Sequence, residues 1–301
     1  MHAGQLTVTV EIVRELLDEQ FPKWRGLPIS AIDSQGTVNA IFRIGDQFVA
    51  RFPLQGSDAE STLRSLQSEA DAAGELLGRT RFATPEPVAL GAPGSGYPLP
   101  WSVQTWLPGV VATDDDPGES VAFAHDLAEF VQGVRAIDTR GRSFRGKGRG
   151  GNLQSHDAWM ETCFRQSEQI LDVPRLRRMW ETMRELPRAA APDVMTHGDL
   201  IPGNVLVSSG CLVGIIDAGG LGPADPALDL VGAWHLLEAS PRYAFRDDLE
   251  CDDLEWDRGK AWAFEQSIGA VWYYLESNQA MSRMGQRTLD RILADEFKPR
   301  Q

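Results

Sequence analysis

His197-Gly198-Asp199-Leu200-Ile201-Pro202-Gly203-Asn204 is the stretch whose reading decides the fold. Pro202 and Gly203 keep it from being a regular helix, so Asp199 can point into a cleft. A carboxylate so placed can accept the proton of a hydroxyl. Asn204, five positions on, brings an amide oxygen, a suitable neutral ligand for magnesium beside carboxylates. Asp199 alone is equally well explained as a helix N-cap. Asn204 in register favours the site. Downstream, after a hairpin, Ile215-Ile216-Asp217-Ala218-Gly219 closes the apolar strand 213–216 on a second acid. A carboxylate at the end of a buried strand needs compensation, and a metal would supply it. A plain turn before Gly219-Gly220 explains Asp217 in isolation. Both motifs, in this order and at this spacing, say more than either alone.

Upstream, strand-like runs 38–44 and 47–52 are joined by Gly45-Asp46, a β-hairpin entered through the turn Asp33-Ser34-Gln35-Gly36. Backbone N–H groups and hydroxyls of Ser34, Gly36, Thr37 and Asn39 can cover phosphates, although a hairpin entry explains them equally well. Arg51 has apolar flanks on the second strand, where its guanidinium can hold phosphates. From Asp58 to Leu77 the apolar period is helical. Glu69 lies three residues after Leu66 and four before Ala73, so it borders the buried stripe and can reach Arg51. An ordinary surface arginine is the alternative for residue 51.

Elsewhere, Thr9–Phe21, Val121–Ile137, Glu161–Met183 and the C-terminal portion from Lys260 to Leu293 carry helical periodicity. The last holds Trp262, Trp272, Tyr273 and Tyr274, which read mainly as core. Gly91–Pro98 is a loop and Trp101–Leu107 a strand ended by Pro108-Gly109, placing a lobe boundary between residues 106 and 107. The basic, glycine-rich run from Arg140 to Gly151 reads as a solvated loop rather than a phosphate contact. His197 is assigned to bracing its loop by hydrogen bonds rather than to catalysis. Asp229 reads as a buried anchor for that loop or as a simple helix-start carboxylate.

The chain of 301 residues has no run of eighteen apolar residues and no secretory leader pattern, so no membrane span is expected. Three scattered cysteines form neither a disulfide framework nor a metal motif, which suits a reducing cytoplasm. The net charge of −14 argues against nucleic acid as a partner. It would attract a cationic ligand, though solubility alone explains such a charge.

Together these motifs resemble the aminoglycoside phosphotransferase family, the small-molecule branch of the protein-kinase-like fold. The resemblance lies in His197-Gly198-Asp199-x-x-Pro202-Gly203-Asn204, Ile216-Asp217-x-Gly219-x-Leu221-Gly222 and Asp225-Pro226-x-x-Asp229-Leu230. Tyr97-Pro98-Leu99-Pro100-Trp101-Ser102-Val103 and Trp106-Leu107-Pro108-Gly109 are similar to the segment leading into the lobe hinge. It implies an α+β, bilobal fold: an antiparallel sheet plus helix in residues 1–106 and a mainly helical lobe in 107–301. ATP or GTP would lie between the lobes, its base against Gln104 to Trp106. Asp199 would be the catalytic aspartate, Asn204 and Asp217 would ligate Mg2+, and Arg51 and Glu69 would be the nucleotide-binding pair. Arginine stands at 51 in place of the family's lysine, and Ala218 in place of an aromatic residue. The implied acceptor is a small-molecule hydroxyl, foremost that of an aminoglycoside-type antibiotic, with antibiotic resistance as the consequence. Residues 1–110 carry −4 of the charge and the remainder −10, which suits a cationic acceptor. Asp225, Glu238, Glu250 and Glu276 are its candidate contacts. A macrolide or a metabolite alcohol is the alternative acceptor, and a nucleotide-binding pseudokinase or ligand sensor the alternative role.

Overall fold

The computed structural model describes residues 6–32, 38–56, 58–146, 148–188 and 192–295. The chain forms two compact units. Residues 1–78, 83–108 and 215–219 make the first, and 79–82, 109–214 and 220–301 the second. A single cut between 106 and 107 does not express this exchange, because the short segment carrying Asp217 belongs with the first unit.

The first unit is built on β1 (Ile29–Ile32), β2 (Asn39–Ile44), β3 (Phe48–Pro53), β4 (Pro87–Gly91) and β5 (Trp101–Thr105). Their order is β1-β2-β3-β5-β4, with every neighbour antiparallel. The β2–β3 hairpin pairs Ile44 with Phe48 and Ile41 with Arg51. Helix α1 (Val10–Gln20) starts at Thr9, whose hydroxyl caps Ile12 N–H, and lays Val13, Leu16 and Leu17 into the sheet's core. There Phe52 and Trp101 stack with ring centroids 4.8 Å apart. Gly91 pairs with Trp101, and a Cβ at 91 would lie 2.1 Å from the indole, so only glycine fits. Helix α2 (Ala59–Leu76) begins at Asp58, whose carboxylate accepts the Ser61 N–H at 2.7 Å. It buries Thr62, Leu66 and Leu76.

The second unit is mainly helical: α3 (Val121–Arg135), α4 (Asp157–Ser167), α5 (Val173–Met183), α6 (Val231–Leu236), α7 (Ala239–Asp248), α8 (Asp253–Tyr273) and α9 (Gln279–Asp295). Strands β6 (Val110–Val111), β8 (Val205–Ser208) and β9 (Cys211–Ile215) form one small sheet, and β7 (Val194–Thr196) pairs with β10 (Gly222–Ala224). The single helix expected from Glu161 to Met183 is two. Pro174 lacks an amide proton and opens α5, and Asp172 caps it, so the chain must break before that point. Helix α8 is buried nearly all round, with Trp262, Phe264 and Ile268 in the core, which is why it lacks a clear polar face. Among the described residues, no helix is long and apolar enough to cross a membrane.

Candidate active site

In the first unit, Arg51, Glu69 and Asp217 meet at the polar end of a cavity of about 250 Å³. Arg51 projects from β3 and is 15% exposed at its side chain. One arm of its fork reaches Glu69 Oε2 (3.5 Å) and the other Asp217 Oδ1 (3.4 Å). Burial raises the Glu69 pKa, Arg51 offsets this, and the charge of Asp217 raises it further. Asp217 takes a left-handed backbone, φ +63°, rare for a residue other than glycine. Apolar side chains line most of the rest of the cavity, among them Leu66, Ala70, Ala89, Val103 and Ala218, with Ser102 and Gln104 as uncharged polar neighbours. An apolar chamber with a cation at one end suits a flat heterocycle bearing an anionic tail. Asn39 opens β2 opposite Pro53, and Trp106 packs under Arg43 with 4.9 Å between guanidinium and ring. Neither lines the cavity. Ser34, Gly36 and Thr37 lie outside the described residues.

In the second unit, the Asp199 carboxylate is held from both sides. Asn204 Nδ2 donates to Oδ2 (2.9 Å) and to the Asp199 carbonyl (3.0 Å). Gln266 Nε2 (3.2 Å) and Arg149 Nη2 (3.3 Å) both donate to Oδ1. The Asp199 side chain keeps 35% of its surface exposed, so an incoming hydroxyl can reach it. Asp229, fully buried, accepts the backbone N–H of His197 (2.7 Å) and of Gly198 (2.8 Å). Burial pushes its carboxyl up, against the His197 ring and these two N–H donors. Gly198 has φ +82°, and a Cβ there would stand 3.2 Å from the Gly220 carbonyl oxygen, so the tight turn before Asp199 requires glycine.

Several expectations are corrected. The His197 ring does not brace the loop by hydrogen bonds. Both of its nitrogens are buried without a partner among the described residues, and the ring packs edge-on against Phe130 at 6.0 Å. Arg149 lies in the run read as a solvated loop, yet its guanidinium reaches the Asp199 carboxylate. Asp225 does not face a ligand. It is 1% exposed and accepts from Arg258 Nε at 2.7 Å, while Arg258 also donates to the carbonyls of Leu186 and Gly151. Glu238 is held by two nitrogens of Arg291, at 3.0 and 2.7 Å. Glu250 and Glu276 are exposed in the turns after α7 and α8. Gln266 escaped sequence reasoning because α8 is buried nearly all round, so no helical face marks a site, and a lone amide there carries no motif.

Asn204 in the second unit and Asp217 in the first each offer oxygen chemistry that, taken singly, fits magnesium. Asn204 turns its amide nitrogen to Asp199, which leaves its carbonyl oxygen for a cation. Asp217 offers carboxylate oxygen. Hard oxygen ligands of this kind hold magnesium when phosphates and water complete the octahedron. Among the described residues, no group of three or more His, Cys, Asp or Glu gathers as a self-sufficient metal cage.

The sequence model of the phosphotransferase enzyme family matches residues 30–262. An aminoglycoside 3'-phosphotransferase of Escherichia coli is 29% identical over 150 residues, covering 47% of this chain and 54% of the relative. The chain therefore spans about half the length of that curated relative. Among solved structures, the GDP complex of wild-type aminoglycoside 2'-phosphotransferase-IIIa matches with a TM-score of 0.66 at 19% identity, over 94% of this chain and 98% of the other. A macrolide 2'-phosphotransferase from Brachybacterium faecium matches with a TM-score of 0.62 at 18% identity, over 97% and 100%. Likeness at these identities shows the fold, the α+β, bilobal, kinase-like architecture expected from the motifs.

Proposed function

The chain belongs to the phosphotransferase enzyme family, and from that premise we propose that it transfers the γ-phosphoryl group of ATP or GTP to a hydroxyl of a small molecule, foremost an aminoglycoside-type antibiotic. The observation that carries this reading is the Asp199 carboxylate, fixed by Asn204 on one oxygen and still open to an acceptor. Asp199 accepts the hydroxyl proton as the acceptor oxygen bonds to the γ-phosphorus. The bond from that phosphorus to the bridging oxygen breaks, and the nucleoside diphosphate leaves with the electron pair. The first unit's cavity takes the nucleotide, with Gln104 beside the base and the Arg51 cation on the phosphates. Asn204 and Asp217 would hold magnesium, whose charge would offset that of the phosphates. Free cysteines at 163, 211 and 251 support a reducing, cytoplasmic setting.

A second reading, a neutral or weakly basic acceptor such as a macrolide, is supported by two observations. Asp225 and Glu238 are already committed to Arg258 and Arg291, and the charged side chain touching Asp199 is the cation of Arg149. The two readings are separated by measuring magnesium-dependent turnover of ATP and GTP across aminoglycosides, macrolides and metabolite alcohols, with mass spectrometry locating the phosphate. One acceptor class is expected to raise turnover, and Asp199→Ala to lower it by roughly 10²–10⁴-fold. If no compound raises turnover above the Asp199→Ala control, a nucleotide-binding sensor replaces the transferase.

A further inference from the structure

Gln266 on α8 and His235 on α6 form a line of hydrogen bonds that ends on Asp199. Gln266 Nε2 donates to Asp199 Oδ1 at 3.2 Å, and Gln266 Oε1 lies 3.1 Å from His235 Nε2. The amide has one orientation that serves both neighbours. A carboxylate needs a donor, so the NH2 faces Asp199 and the oxygen faces the ring. That oxygen can only accept, so the ring proton must sit on Nε2. His235 is 3% exposed, and burial pushes its pKa down to about 3. Gln266 acts in the opposite sense, while the cations of Arg149 and Arg291 add to the depression. The ring is therefore neutral at physiological pH, and its Nδ1 is an acceptor. Thr288 Oγ1, fully buried, stands 3.0 Å from Nδ1. Its hydroxyl also lies 2.9 Å from the Met284 carbonyl, within its own helical turn. The Nε2-protonated ring requires that the hydroxyl proton turn to Nδ1.

We infer that Gln266 and His235 are positioning residues: the buried imidazole locks the Gln266 amide, and the amide fixes the rotation of the Asp199 carboxylate. This rests on the reading of Asp199 as the base. The terminal torsion of an aspartate is soft, and one hydrogen bond leaves it free to swing. Asn204 holds Oδ2 and Gln266 holds Oδ1, so two neutral donors define the plane in which the remaining lone pairs meet the acceptor hydroxyl. Unlike the Arg149 cation on Oδ1, these neutral donors add no positive charge that would lower the carboxylate's affinity for the proton. Arg149 also reaches Oδ1, but through the single nitrogen Nη2, so its fork does not grip both oxygens of the carboxylate.

Two measurements test the inference. The first uses nitrogen-15 imidazole NMR on the full wild-type chain at pH 7 and does not depend on any activity. His235 is expected neutral with its proton on Nε2, and a proton on Nδ1 or a charged ring overturns the line of bonds. The second measures magnesium-dependent phosphoryl transfer to the acceptor found above, or ATP hydrolysis with water as acceptor if none is found. Gln266→Leu and His235→Leu should each lower kcat roughly ten- to a hundredfold, with the KM for ATP within about twofold. His235→Gln, whose NH2 can replace the Nε2–H donor, should recover most of the loss. The double variant His235→Leu/Gln266→Leu should be no slower than Gln266→Leu, because the ring acts only through the amide. Multiplying losses, an effect confined to KM, or a wild-type kcat in Gln266→Leu each overturn it. A wild-type chain with no turnover at all counts first against Asp199 as base, and is told apart from failure of the bonds by the NMR result.

Discussion

At residue 51 the guanidinium does two jobs that a lysine ammonium could not share so evenly. Its fork spans Glu69 and Asp217, whereas an ammonium is a point charge on a flexible stem. Arg51→Ala should weaken ATP and GTP binding by about 1.5–3 kcal/mol, read by titration calorimetry; equal affinity in the variant would remove Arg51 from the phosphate site. Asp225 makes the opposite point. The acidic excess of the second part of the chain made it a candidate acceptor contact, yet Arg258 has it enclosed. Asp225→Ala leaves a buried guanidinium without its counter-charge and should cost about 3–5 kcal/mol of stability, measured by denaturant unfolding. A stable variant with a raised KM for the acceptor would reinstate it as an acceptor contact. Asp199, Asn204 and Asp217 were legible because one short motif carries each of them. Arg149 and Gln266 were not, because their closeness to Asp199 spans 50 and 67 residues of sequence.

At the scale of elements, local signals read well where they were strong. The helices expected from Thr9 and from Asp58 start there, each capped by that residue, and the first ends before Pro22, whereas the strand expected from Trp101 to Leu107 stops at Thr105. The short strands β1, β4 and β10 escaped, since a strand of three to five residues has too few positions for alternation, and β10 contains Gly222-Pro223. The break between α4 and α5 was carried by Pro174, whose effect an apolar periodicity passes over. Asp172 starts the second of these helices by accepting the Arg175 N–H at 3.3 Å. Asp172→Ala should therefore lower stability by about 1 kcal/mol, within the 0.5–2 kcal/mol range of lost N-caps, as a shift in thermal midpoint. No shift would mean that packing alone holds α5.

At the scale of the whole molecule, two buried histidines bias stability in opposite pH directions. The hydrogen bond to Glu265 Oε1, 2.9 Å away, holds the His156 pKa above its ordinary value of 6.5, against desolvation. Its stabilisation is complete below the unfolded value and is lost as pH rises through the raised folded value. His235, held down to about 3, adds no penalty above 6.5. Below that its unfolded form binds a proton that the folded form refuses, at up to about 1.4 kcal/mol per pH unit. Melting curves from pH 5 to 9 should show His156→Gln flattening the alkaline loss and His235→Gln the acid loss. The reverse pattern would refute both assignments. The sequence by itself determined the kinase-like fold class, the identity of the candidate base and metal ligands, and the Arg51–Glu69 pairing. These depend on short spacings, capping and helical period, which act between neighbours in the chain. Only the tertiary structure decided which acids are free, that Asp229 rather than the His197 ring ties the loop, and that Gln266 and Arg149 stand on Asp199. Those are outcomes of burial and long-range packing, in which a charge finds its partner through the core rather than along the chain.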